Sequence, residues 1–181
     1  MHFEELDSTT RQRMVAEFDS EQASGNPYCG KNLSLEGVLA FPRLVRAALE
    51  GGTEQTLQGA FVKIALWNPT EDYVRNGVPH SRRVNIAQAS ERLALTEFNT
   101  WYVRGLSRRL RDEGVAECQA YRAAMPKWEP AECSEHEDQI FRVEQIYAGH
   151  RVKYWPEPGT PNAISIPFGP GCHHTIRRIA H

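Results

Sequence analysis

The feature that most limits what this chain can fold into is a long helical signal over residues 86–113. Asn85 offers a side-chain oxygen to the unpaired N–H groups of the first turn. Gln88 follows three residues later, as in a capping box, and Gly114 can close the far end. Phe98, Tyr102, Leu106 and Leu110 stand four apart on one face, and Leu93, Glu97 and Trp101 line the face beside it. At 1.5 Å per residue such a helix spans about 40 Å. An apolar surface this broad has to be covered from more than one side, by helices upstream and by strands downstream.

The flanking segments fit that demand. Residues 8–22 place Met14 and Phe18 four apart among polar residues, which predicts a short amphipathic helix. SGNPYCG, residues 24–30, is a turn by composition. A second helix is expected over 34–49, kinked near Pro42 and closed by Gly51-Gly52. A third, over 53–66, buries Leu57, Phe61, Ile64 and Ala65 until Asn68-Pro69 stops it. Residues 69–84 read as a connector, in which Asn76-Gly77 can turn a short hairpin. After Gly114 the texture changes: 115–122 can alternate as a strand, and 140–147, 151–155 and 163–168 are further short strand candidates. Two regions result, a helical one over 1–84 and the long helix with a small strand-rich unit over 85–181, expected to pack as one compact domain.

Composition narrows the function. A chain of 181 residues builds one good core, and a net charge of -2 excludes holding nucleic acid by bulk charge. Local basic clusters remain at Arg108, Arg109 and Arg111 and at Arg177 and Arg178, the last pair placed for contact with DNA phosphates. The opening MHFEELDSTT lacks a basic stretch followed by an apolar one, and no apolar run reaches membrane-spanning length. The expectation is a protein that is neither secreted nor inserted in a membrane.

Short strands make a marginal unit that benefits from a staple, and the cysteines and histidines suggest one. Cys133 and His136 have the spacing of a metal knuckle, and Cys172 with His174 could supply a second pair after the bend at Pro170-Gly171. Thiolate and imidazole in a set of four suit tetrahedral zinc, and four protein ligands leave no open position, so the site would be structural. His173 could replace His174 as ligand. Cys118 reads as a buried strand residue, and Cys29 as a free thiol in a turn. The fold class expected is therefore α+β: a helical N-terminal two thirds with one long central helix, and a small zinc-stapled, β-containing C-terminal unit.

Residues 86–178 resemble the phage Mu F-like minor head proteins. The elements that carry the resemblance are Arg92, Thr96-Glu97, Asn99, Gly105 and Gly114-Val115, the strand ending near Tyr121, Cys133-Ser134-Glu135-His136, and Pro170-Gly171-Cys172-His173-His174. Where that family has a second cysteine in each knuckle, this chain has His136 and His174, and both substitutions keep a metal ligand. The resemblance implies a minor capsid protein that assists head morphogenesis, partnered by a capsid or portal protein and located in the virion or the host cytoplasm. Arg92, Thr96, Glu97 and Trp101 would then be structural. Read from the residues alone, Arg92 would pair on the surface with Glu91 or Glu97, or else Thr96-Glu97 would be partly buried and bonded to loop backbone, fixing the C-terminal unit against the helix. A protein-interaction module stabilised by zinc, unrelated to phages, needs almost the same residues.

One enzyme reading uses the same region. His150, Asn162 and His174 fall in the order of an HNH nuclease, in which the first histidine activates water, the asparagine orients it and the last histidine helps hold a divalent cation. Gly149 stands where that family usually has an acidic metal ligand, and the long helix has no role in the scheme.

Overall fold

The computed structural model describes residues 1–125, 134–151, 162–169 and 171–179. Four helices make the body: α1 (Ser8–Ala23), α2 (Leu35–Gly51), α3 (Glu54–Phe61) and α4 (Ile86–Asp112). Each starts on a side-chain cap. Asp7, Ser34, Thr53 and Asn85 accept from backbone N–H groups three residues on, and Thr53 and Thr56 complete a reciprocal box. Pro42 lies inside α2, and a short 3-10 turn, Ile64–Leu66, follows α3 where one continuous helix was expected.

α4 is the central element. Phe98, Tyr102, Leu106 and Leu110 are all fully buried, as are Glu97 and Trp101. α1 runs along one side and buries Met14 and Phe18 there, and the Phe18 ring meets Trp101 edge-on at 5.2 Å. The close approach is possible because residue 105 is glycine. A methyl group on Gly105 would stand 2.7 Å from the backbone nitrogen of Met14. Leu57 and Phe61 of α3 cover a second side of the same core.

Between the body helices projects an antiparallel hairpin, β1 (Thr70–Arg75) and β2 (Val78–Arg83), paired along its whole length. Asn76 and Gly77 both have positive φ, 52° and 77°, as a two-residue turn between twisted strands requires. The sequence suggested a short connector; the structure makes it an arm.

The C-terminal unit is a three-stranded antiparallel sheet in the order β4-β3-β5, with β3 (Glu117–Arg122), β4 (Ile140–Arg142) and β5 (His174–Arg178). Cys118 and Ala120 of the central strand and Ile176 of β5 are buried towards the core. Three expectations are corrected here. Residues 140–147 give only three strand residues before the chain turns into helix α5 (Val143–Ala148), because Val143 and Ile146, three apart, are the pair it buries. Residues 163–168 form no strand: the Ile164 N–H donates to the carbonyl of Gln145, and Pro167 has no N–H to give a ladder. The strand that pairs with β3 is instead 174–178, which the sequence presented as a basic tail. Of the candidate strand 151–155, all but Arg151 lies outside the described residues.

The zinc staple is also corrected. Among the described residues no group of three or more His, Cys, Asp or Glu side chains is placed to hold a metal ion. Other bonds fasten the sheet. Asn99 in α4 donates to the carbonyl of His174 at 2.7 Å, His2 donates to the carbonyl of Ala123, and Glu5 accepts from the Arg178 backbone. Among the described residues no helix is long and apolar enough to cross a membrane.

Candidate functional site

The densest polar arrangement is buried beside α4, and its centre is a carboxylate the sequence had already isolated. Glu97 lies between Leu93 and Trp101 on an apolar face, so folding carries its charge into the core, at 0% side-chain exposure. A buried carboxylate needs donors or a partner charge. Arg151, 3% exposed, supplies both as a two-pronged clamp, with nitrogen–oxygen distances of 2.6 and 3.2 Å. The same guanidinium reaches Glu21 of α1 at 3.3 Å and lies over the rings of Tyr28 and Trp101, 4.3 and 5.2 Å from their centres. Arg151 therefore ties α1, α4, the turn at Tyr28 and the segment after α5 to one point.

The backbone bends to allow this. Arg151 has φ 54°, a left-handed conformation that suits glycine. An arginine held there is held for its side chain. His150 beside it contacts Glu21 at 2.9 Å and packs its ring 4.9 Å from Trp101. Burial pushes the His150 imidazole down to about 4, with Glu21 opposing only in part, so the ring is neutral at pH 7. Burial acts to raise Glu21, but the His150 hydrogen bond and the Arg151 charge outweigh it and hold the carboxyl below its ordinary value.

Above this centre opens a cavity of about 250 Å³. Glu97 and Arg151 form part of its floor, Leu93 and Trp67 give it apolar wall, and the root of the hairpin contributes Glu71 and Arg82. Arg92 and Thr96 line it from α4. Arg92 is exposed and has no carboxylate partner among the described residues, so the surface pair expected with Glu91 or Glu97 is not made. Thr96 is half-buried on the wall, and Trp101 is fully buried beneath.

The proposed metal ligands lie elsewhere. Cys172 Sγ is 3.5 Å from His174 Nδ1, His136 stacks on the ring of Phe168 with 3.9 Å between centres, and the Phe168 and His174 rings make a T-shaped contact at 5.9 Å. Cys133 lies outside the described residues. Nδ1 of His136 and Nε2 of His174 are buried without a hydrogen-bond partner among the described residues. The expected zinc site is therefore not formed among the described residues.

The nuclease residues lie on separate elements. His150 sits in the Glu21–Arg151 centre, His174 in β5, and Asn162 is exposed in a turn. The basic clusters are neutralised within the fold. Arg108 meets Asp112 and Glu17, Arg109 meets Asp7 and Glu113, and Arg111 meets Glu144. Arg177 pairs with Glu4 and Asp138, and Arg178 with Glu5 and Glu113.

Sequence reasoning missed Arg151 altogether. The available signal was Glu97 itself, a charge in an apolar stripe that had to be answered by a cation somewhere in the chain. Comparison with family models, with curated proteins and with solved structures finds no match for this chain, so the head-protein resemblance gains no support there.

Proposed function

We propose that this chain is a non-catalytic interaction module, a structural part of an assembly that works by binding other proteins. The observation that carries the reading is the hairpin. Every residue of β1 and β2 except Glu71 is exposed, and a two-stranded ribbon in water is marginal without something to cover it. Its cross-strand pairs put Tyr73 and Val78 on one face and Val74 and Pro79 on the other, so both faces offer apolar groups. Among the described residues no further strand pairs with either long edge. Leu35, Val38 and Leu39 at the start of α2, and Ile64 in the turn after α3, add exposed apolar surface of the kind that marks protein contacts.

The resemblance of residues 86–178 to phage head proteins names the first partners to try, the portal and capsid proteins of a tailed phage or a phage-derived particle. The test is co-expression with those proteins and recovery of assembled heads. Wild-type chain should co-purify with the heads, and a V74D/V78D variant should be lost from them while keeping its helical circular dichroism. Equal incorporation of the variant, or no association by the wild type, would count against the reading. So would magnesium- or manganese-dependent DNA cleavage by the purified chain that disappears in His150→Ala.

A further inference from the structure

We infer that the cavity over the Glu97–Arg151 pair is a binding site for a small organic anion, one carboxylate or phosphate group on an apolar, ring-sized body. The charge inventory carries this. Four cations line the cavity, Lys31, Arg82, Arg92 and Arg151, against two lining carboxylates, Glu71 and Glu97, and with Glu21 also paired to Arg151 from behind the floor, one positive charge remains in excess. The two carboxylates are already answered. Glu97 is clamped by Arg151, and Glu71 accepts from Arg82 and from the Asn32 amide, both at 2.7 Å. The excess therefore resides on Lys31 and Arg92, which have no carboxylate partner among the described residues. They stand on different walls, one on the loop after Tyr28 and one on α4.

Like charges placed around one concavity raise the local concentration of anions, and guanidinium groups match the planar fork of a carboxylate or the oxygens of a phosphate. The first turn of α4 lines the same space through Asn85, Gln88 and Ala89, and its end of the helix dipole has the matching sign. The remaining wall is apolar: Leu93, Trp67 and the ring of Tyr28 suit the body of the ligand. A volume of about 250 Å³ has room for a ring-sized body. The buried pair below gives a rigid floor, since Arg151 is fixed by two helices and two aromatic rings.

The probes are benzoate and phenyl phosphate, with benzamide as the neutral counterpart of benzoate. Amide resonances of the full chain are followed during titration. Benzoate or phenyl phosphate should shift residues 30–32 and 85–97 saturably, with a dissociation constant of about 1 mM or lower, and added salt should weaken the binding. Benzamide at the same concentrations should leave those residues unmoved. Both side chains without partners are exposed, so a K31Q/R92Q variant is expected to fold, and its affinity should fall about tenfold. The inference is overturned if neither anion binds saturably up to about 10 mM, if benzamide binds as well as benzoate, or if the double variant binds unchanged. Because the wild-type comparison of charged and neutral probes stands alone, a variant that failed to fold would not rescue the inference.

Discussion

Removing the guanidinium from the buried centre is the sharpest test of how this fold is held. In Arg151→Met the linear apolar part of the side chain remains, and Glu97 is left at 0% exposure without its two donors. Two unit charges about 4 Å apart attract by about 4 kcal/mol at an effective dielectric constant of 20. Breaking a buried pair from one side typically costs about 3–5 kcal/mol, because the surviving charge keeps its desolvation penalty. The variant should therefore lose about 3–5 kcal/mol at pH 7. Urea unfolding followed by helical circular dichroism measures it. Adding Glu97→Gln to Arg151→Met should return a large part of the loss, since an amide tolerates the site better than an unpaired charge. A loss below about 1 kcal/mol for Arg151→Met, or a double variant no better than the sum of the two single changes, would refute the account.

Two further outcomes test neighbouring parts of the same core. Gly105→Ala should destabilise by about 1–3 kcal/mol despite alanine's better helix propensity, because the new methyl meets the α1 backbone at 2.7 Å; urea unfolding reads it, and a neutral or stabilising result would mean that α1 can move away. His150, with a side chain 15% exposed, titrates near 4 in the folded chain against about 6.5 unfolded, so its stabilisation is complete above pH 6.5 and is lost as the pH falls towards 4. That loss amounts to about 3 kcal/mol, and unfolding curves of wild type and His150→Gln compared across pH 4–7 should show it in the wild type alone.

How much of this was legible in the chain depends on the range of the interaction. α4 could be read nearly to the residue because its determinants are local: Asn85 caps it, the Phe98–Tyr102–Leu106–Leu110 ladder repeats along it, and Gly114 takes the positive φ, 73°, that ends it. The helical body and the small C-terminal sheet followed from similar signals. The strands within that sheet were harder, since a run such as Ile140-Phe141-Arg142-Val143 fits either period, and only the core decides where extension stops. Of the buried centre only Glu97 was readable, and its partner was not. Glu97 and Arg151 are 54 positions apart, and no spacing rule connects them. The cysteine and histidine spacing was, by contrast, too readable: it fixes proximity along the chain, but it cannot report what each histidine packs against, and the Phe168 ring contacts both.

The strand order has a consequence for synthesis on the ribosome. β3 is the middle strand, yet β4, α5 and β5 are all translated after it, and β5 comes last. While β5 is still inside the exit tunnel, one long edge of β3 has no neighbour, the slot that Ile176 fills is empty, and the Asn99 amide lacks the carbonyl it will bind. The helices can meanwhile assemble through contacts already made, since α1, α2 and α3 precede α4. The nascent chain thus passes through a stage with a formed helical body and an open, partly apolar strand edge, which is where premature association between neighbouring nascent chains would begin.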